Sequence, residues 1–247
     1  MTPDKLEKAI THRTKVCLLN SPSNPTGAVY GKEELAALGD VLVKHKIVII
    51  SDEIYEKLLY DGLTHVSIAS LSPELKESTV VINGVSKAYA MTGWRIGYAA
   101  ASPAVAKAMA DLQSHSTSNP TSIAQAASVA ALTGPQEPLS QMLEAFRQRR
   151  DYMLERINGI AGLSCDCPGG AFYAFPSMHA YIGKSYEDTV IQGASDLAGL
   201  LLEKANVALV PGIAFGDDTC FRMSYAASMD RIKEGLDRIE NFLSLLK

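Results

Sequence analysis

The sequence has no apolar run of the ~20 residues that a membrane-spanning helix needs. It also has no lysine or arginine cluster, internal repeat or low-complexity segment. A net charge of −4, from 23 basic and 27 acidic residues, offers no positive patch, so neither nucleic acid nor membrane is expected as a partner. The four cysteines fit neither a zinc site nor a disulfide framework: Cys165 and Cys167 form a C-x-C, while Cys17 and Cys220 lie far away. The histidines are scattered, so no metal site is expected. Reduced thiols and a cytoplasmic setting are the expectation. The opening MTPDKLEKAI reads as a helix start without a signal peptide's apolar core. What remains is ordinary for a soluble globular protein, with 47% hydrophobic and 20% charged residues. Its 247 residues suffice for one large domain or two modest ones.

Continuous apolar runs at 16–19, 47–50, 80–82 and 96–101 predict four strands of a sheet covered on both faces. The first three are separated by enough chain for crossovers, which predicts parallel pairing, whereas the fourth follows quickly and is expected to be antiparallel. Helices are predicted after Thr2-Pro3, over 32–45, from Ser102-Pro103 to about Gln113, and from the Asn119-Pro120-Thr121-Ser122 cap to about Thr133. A boundary is expected within 134–138, giving domains 1–137 and 138–247. Beyond it a long amphipathic helix carries Leu139, Met142, Leu143, Phe146, Met153, Leu154 and Ile157. Strands near 163–166, 171–175, 207–210 and 220–225, with helices over about 187–204 and 229–246, predict a smaller α+β domain.

Chemistry-bearing residues gather around these strands. Ser86 and Lys87 lie just past the 80–82 strand and Arg95 just before the next, at the place where open α/β sheets keep ligands. A hydroxyl and a guanidinium suit a phosphate, and a neighbouring lysine suits a covalent imine with a carbonyl cofactor such as pyridoxal phosphate. The plainer reading is a solvated lysine and a helix-terminal arginine. Asp52, directly after the 47–50 strand, is either a helix cap or the carboxylate that keeps a pyridinium nitrogen protonated. Tyr55, three residues on, is either core or surface, or a phenol donor to the ring's 3′ oxygen. Asn24 is a turn residue before proline, or an amide that reaches the same oxygen or a substrate carboxylate. Arg222, between Phe221 and Met223, needs an acidic partner, and a substrate carboxylate held bidentately would serve.

SNPTG at 23–27, SDEIY at 51–55, SKAYAMTGWRIGY at 86–98 and FRMSYA at 221–226 resemble, in order and spacing, the signature blocks of fold-type-I pyridoxal-phosphate aminotransferases. The likeness is to the bacterial aspartate/prephenate subgroup. It implies an α/β fold, with a mainly parallel sheet flanked by helices, plus a smaller α+β C-terminal domain. It further implies that Lys87 is the Schiff-base lysine and proton shuttle, that Asp52 pairs with the ring nitrogen, and that Tyr55 and Asn24 contact the 3′ oxygen. Ser86 and Arg95 would hold the phosphate, and Arg222 the substrate α-carboxylate. The implied activity moves an amino group from an acidic amino acid to a 2-oxo acid, in a homodimer with sites near the subunit interface. The Ser118-Asn119-Pro120 loop would then approach the neighbour's site, with a cis Asn119–Pro120 bond.

Such enzymes carry a large N-terminal part that has no counterpart in this sequence. The large domain is therefore expected to be incomplete, lacking the glycine-containing phosphate loop and the aromatic ring that stacks on the pyridine. The 16–19 strand would then be an exposed edge. The chain reads as a fragment of such an enzyme rather than half of a split enzyme or a product with another role. Two alternatives stand beside transamination. One is a lyase or decarboxylase on the same scaffold; the other is an incompetent fragment acting as a binding or assembly module.

Overall fold

A computed structural model describes residues 1–247. The chain forms two units, Met1–Pro22 with Ala28–Ser140, and Ser23–Gly27 with Gln141–Lys247.

The first unit opens on α1 (Pro3–Ala9), whose cap Thr2 accepts from the Lys5 amide and whose first position is proline. Strand β1 (Val16–Asn20), helix α2 (Lys32–Lys44) and strand β2 (Val48–Asp52) form a crossover unit. Helix α3 (Pro73–Ser78) leads directly into β3 (Thr79–Gly84), and β4 (Gly97–Ala100) returns beside it. The sheet order is β1-β2-β3-β4, parallel across the first three strands and antiparallel between β3 and β4. Both pairing expectations hold. Leu35, Leu38 and Leu42 recur on the buried face of α2 and pack with Leu19, Ile47, Ile49, Ile68 and Leu75. Gly39 is where α2 meets α3, since an added Cβ would stand 2.8 Å from a Leu75 methyl.

Of the cover expected on both sheet faces, α2 supplies one side, where Leu19 and Ile49 are buried, while the alternate positions Val16, Leu18 and Val48 stay exposed, and β1 is the edge that was expected. Every residue of β4 is exposed, and on edge strand β1 Leu18 is 66% exposed. Apolar runs report that a strand can be buried, not what buries it. Helices α4 (Pro103–Ser116) and α5 (Ser122–Thr133) likewise leave Leu112 and Ile123 exposed. The cis peptide bonds are Ser21–Pro22 and Asn24–Pro25, not Asn119–Pro120. Before Pro120 the chain turns instead through Ser118 at φ +63°, with the Asn119 amide donating to the Thr117 carbonyl.

Helix α6 (Glu137–Gly159) buries Phe146, Met153, Leu154 and Ile157 as its period requires. In the second unit β5 (Tyr173–Ala174), β8 (Val210–Pro211) and β9 (Phe221–Ser224) make an antiparallel sheet in the order β5-β9-β8. The expected 163–166 strand shrinks to an isolated bridge between Ser164 and Ser177. The segment expected to begin a helix at 187 is a hairpin, β6 (Ser185–Tyr186) with β7 (Thr189–Val190), turning through Glu187 at φ +50°. Helix α7 (Ala194–Ala205) starts only after Gly193, whose extended backbone ends the hairpin segment. Helix α8 (Met229–Leu243), capped by Ser228, buries Ile232, Leu236, Ile239, Phe242 and Leu243 on one stripe.

Candidate active site

The ends of β2 and β3 bring the first set of residues together. Their parallel register sets Asp52 beside Ile82, so the chain beyond both strands emerges at one end of the sheet. Asp52 is not a helix cap. It ends β2, its Oδ1 accepts from the Ile54 amide (3.2 Å), and its carbonyl accepts from Asn20 Nδ2 and the Ser21 amide (both 3.2 Å). A turn follows in which Tyr55 is buried and its carbonyl accepts from the Leu58 amide.

Beyond β3, Ser86 and Lys87 sit half-buried in a tight turn, where Lys87's carbonyl accepts from the Ala90 amide and Ser86's from Met91's. Lys87 Nζ lies 5.9 Å from the centroid of the Tyr55 ring, within cation–π range. Arg95 is exposed, and its Nη1 donates to the Thr92 carbonyl at 2.9 Å. Ala90 (φ +53°) and Arg95 (φ +54°) both adopt left-handed backbone without being glycine, a strain that concentrates at functional loops.

One cluster at this end has no counterpart in the sequence reading. Glu53, 4% exposed, accepts from Ser51 Oγ (2.9 Å), Ser67 Oγ (2.6 Å) and His65 Nε2 (2.9 Å). Burial works to raise its pKa, but hydrogen bonds from His65, Ser67 and Ser51 together outweigh it and leave the carboxyl below its usual range. Strand alternation puts Ser51 and Glu53 on one face and Asp52 on the other. That alternation was the available signal, but nothing in the sequence ties His65 to it.

The second unit holds Asn24 and Arg222. Asn24 Oδ1 accepts from Arg222 Nη1 at 2.7 Å, across 198 positions of sequence. Arg222 lies in β9 with its guanidinium 4.5 Å from the Tyr173 ring centroid and 5.1 Å from that of Phe215. Its hydrogen-bond partner is thus a neutral amide oxygen, and aromatic faces flank the charge. The Asn24 loop is clamped: Gly27 takes φ +67° and its carbonyl accepts from the Gly170 amide at 2.9 Å. Burial pushes the Cys165 thiol up to about 11 and raises that of Cys220, so neither is a ready nucleophile at neutral pH.

An amine, a phenol and a carboxylate at one sheet end form a donor set for carbonyl chemistry. Residues 1–239 match the family model for class I and II aminotransferases. An aspartate aminotransferase of Geobacillus stearothermophilus is 54% identical over 243 residues, 98% of this chain and 61% of that protein. An aspartate/prephenate aminotransferase of Nitrosomonas europaea is 50% identical over 247 residues, 99% of this chain and 62% of that protein. The crystal structure of the aspartate aminotransferase from Rhizobium meliloti matches at a TM-score of 0.96 and 48% identity, covering 100% of this chain and 62% of that one. The chain therefore spans about three-fifths of the length of these relatives. With the fold-type-I architecture and an end-to-end match, this chain belongs to the class I and II aminotransferase family.

Proposed function

We propose that this chain is the part of a pyridoxal-phosphate-dependent aminotransferase that carries the reactive lysine. The enzyme would transfer the amino group of aspartate or glutamate to a 2-oxo acid. The observation that carries the reading is the Lys87 amine over the Tyr55 ring, at the sheet end where Asp52 closes the neighbouring strand. That donor set fits the cofactor: an amine for an aldehyde, a phenol for a ring oxygen and a carboxylate for a ring nitrogen. When bound, pyridoxal phosphate supplies an aldehyde that condenses with amines and a protonated ring that draws electrons from the substrate's α carbon.

The protein's residues divide the remaining work. Asp52's carboxylate holds the proton on the ring nitrogen by charge attraction. Tyr55 and Asn24 donate to the 3′ oxygen, while Ser86 and Arg95 bind the phosphate. Lys87 would be the covalent anchor, and once the substrate's amine displaces it, its freed Nζ would hold the substrate's α proton and return it one position away. Arg222, oriented by Asn24 Oδ1, takes the α-carboxylate.

A cytoplasmic homodimer is the proposed setting. Four free cysteines support the reducing compartment, and exposed Leu112 and Ile123 on α4 and α5 support association. No helix is long and apolar enough to cross a membrane. The test is borohydride reduction of the chain with pyridoxal phosphate, followed by peptide mapping and a transfer assay from ¹⁵N-aspartate to a 2-oxo acid. A reduced adduct confined to Lys87, and any transfer lost in Lys87→Ala, is the expected result. Label spread over surface lysines would show that the site needs the N-terminal part of such enzymes to form, and transfer that survives Lys87→Ala would overturn the assignment.

A further inference from the structure

The Glu53 cluster ties three segments together behind the proposed cofactor carboxylate. Ser51 belongs to β2, and Ser67 and His65 to the stretch before the buried Ile68, while the Glu53 amide donates to the Ile82 carbonyl of β3 at 2.9 Å. The Glu53 carbonyl in turn accepts from the Glu56 amide at 2.9 Å, closing the turn that contains Tyr55. An ionised carboxylate only accepts, so His65 must present its Nε2–H to Glu53 Oε2. Glu56 completes a group of three whose ligand atoms lie within 4.8 Å of one another. Both Glu53 oxygens are already occupied by protein donors, so the cluster reads as a saturated internal network.

We infer that Glu53 and His65 are positioning residues: their carboxylate–imidazole pair anchors the end of β2, so that Asp52 and Tyr55 are presented in fixed orientation. Asp52 lies between Ser51 and Glu53, and both neighbours are held on the opposite face of the strand. Its carboxylate accepts from the Ile54 amide within the same turn, at 3.2 Å. Such preorganisation matters because a small misplacement of a catalytic group costs rate steeply. The role in catalysis rests on the aminotransferase reading; the anchoring itself does not.

The experiment compares amide hydrogen exchange in the cofactor-free chain across three variants. His65→Leu keeps bulk and removes the donor, while His65→Gln keeps a donor. In His65→Leu, exchange at Ile54 and Glu56 is expected to rise about tenfold relative to Ile50 and Val81, the worth of one hydrogen bond to a charged group. His65→Gln should stay within about twofold of the parent, by the same reasoning. Ser67→Ala, which removes only the 2.6 Å hydrogen bond, should show the same local pattern in weaker form and decides the matter if His65→Leu does not fold. A uniform rise at all four amides, equal behaviour of the glutamine and leucine variants, or no change in Ser67→Ala would overturn the anchor. None of these results bears on the Lys87 adduct, which tests the proposed function by itself.

Discussion

Gly27→Ala is the substitution whose cost follows most directly from geometry. Gly27 has φ +67°, and an added Cβ would stand 2.4 Å from Pro168 Cβ and 2.6 Å from the Gly170 carbonyl oxygen. Left-handed backbone costs an alanine about 1–2 kcal/mol, and forcing a methyl into filled space adds about 1–3 kcal/mol. Neither obstacle yields cheaply, since one is a proline ring and the other backbone. Gly216→Ala is the control: its φ is +89°, but nothing lies within 4 Å of the added Cβ, so only the conformational cost applies. The assay is native-state hydrogen exchange at the Phe221 and Met223 amides of β9, in the same unit. Fluorescence would miss the effect, because the single tryptophan, Trp94, lies in the other unit. Gly27→Ala should speed exchange about tenfold more than Gly216→Ala, the equivalent of the ~1.4 kcal/mol attributable to the clash alone. Equal effects would refute the reasoning, since they would show the Pro168–Gly170 loop moving aside freely.

Two further outcomes follow. Glu53 has its folded pKa depressed, so its stabilising contribution is present above the unfolded value of about 4.3 and is lost as pH falls toward the folded one. Melting temperature in the parent should therefore drop on acidification below about pH 5 more steeply than in Glu53→Gln, and parallel curves would contradict the assignment of that carboxylate. Arg222→Lys keeps the charge but loses the planar fork held by Asn24 at 2.7 Å. In any form of the enzyme that turns over, kcat/KM for aspartate should fall on the order of tenfold to a hundredfold, and unchanged kinetics would remove Arg222 from the substrate site.

Legibility in the sequence tracked the range of the interaction. Strands β1 to β4 lie within about two residues of their apolar runs, and spacing alone announced the antiparallel return of β4. The caps Thr2, Thr121 and Ser228 act within one turn; Thr2 was read directly from sequence, and Thr121 falls in the 119–122 stretch read as a cap. The Glu187 hairpin escaped because a two-residue turn at positive φ carries no strong signal in Glu-Asp. Strands of two residues, such as β5 and β8, are too short for any period to show.

The seven site residues were named from sequence through their residue types, their places after apolar runs and the blocks they share with the aminotransferase family. Their partners were not. Arg222 found Asn24 198 positions away and Glu53 found His65, while Leu18, on the strand expected to be an edge, was left on an open face instead of a covered one. Local propensity, burial period and reactive groups are properties of a few neighbouring residues, so the sequence by itself determined the elements and the chemistry available. Which donor meets which acceptor depends on strand register and loop closure over long separations, and that was decided only when the chain folded.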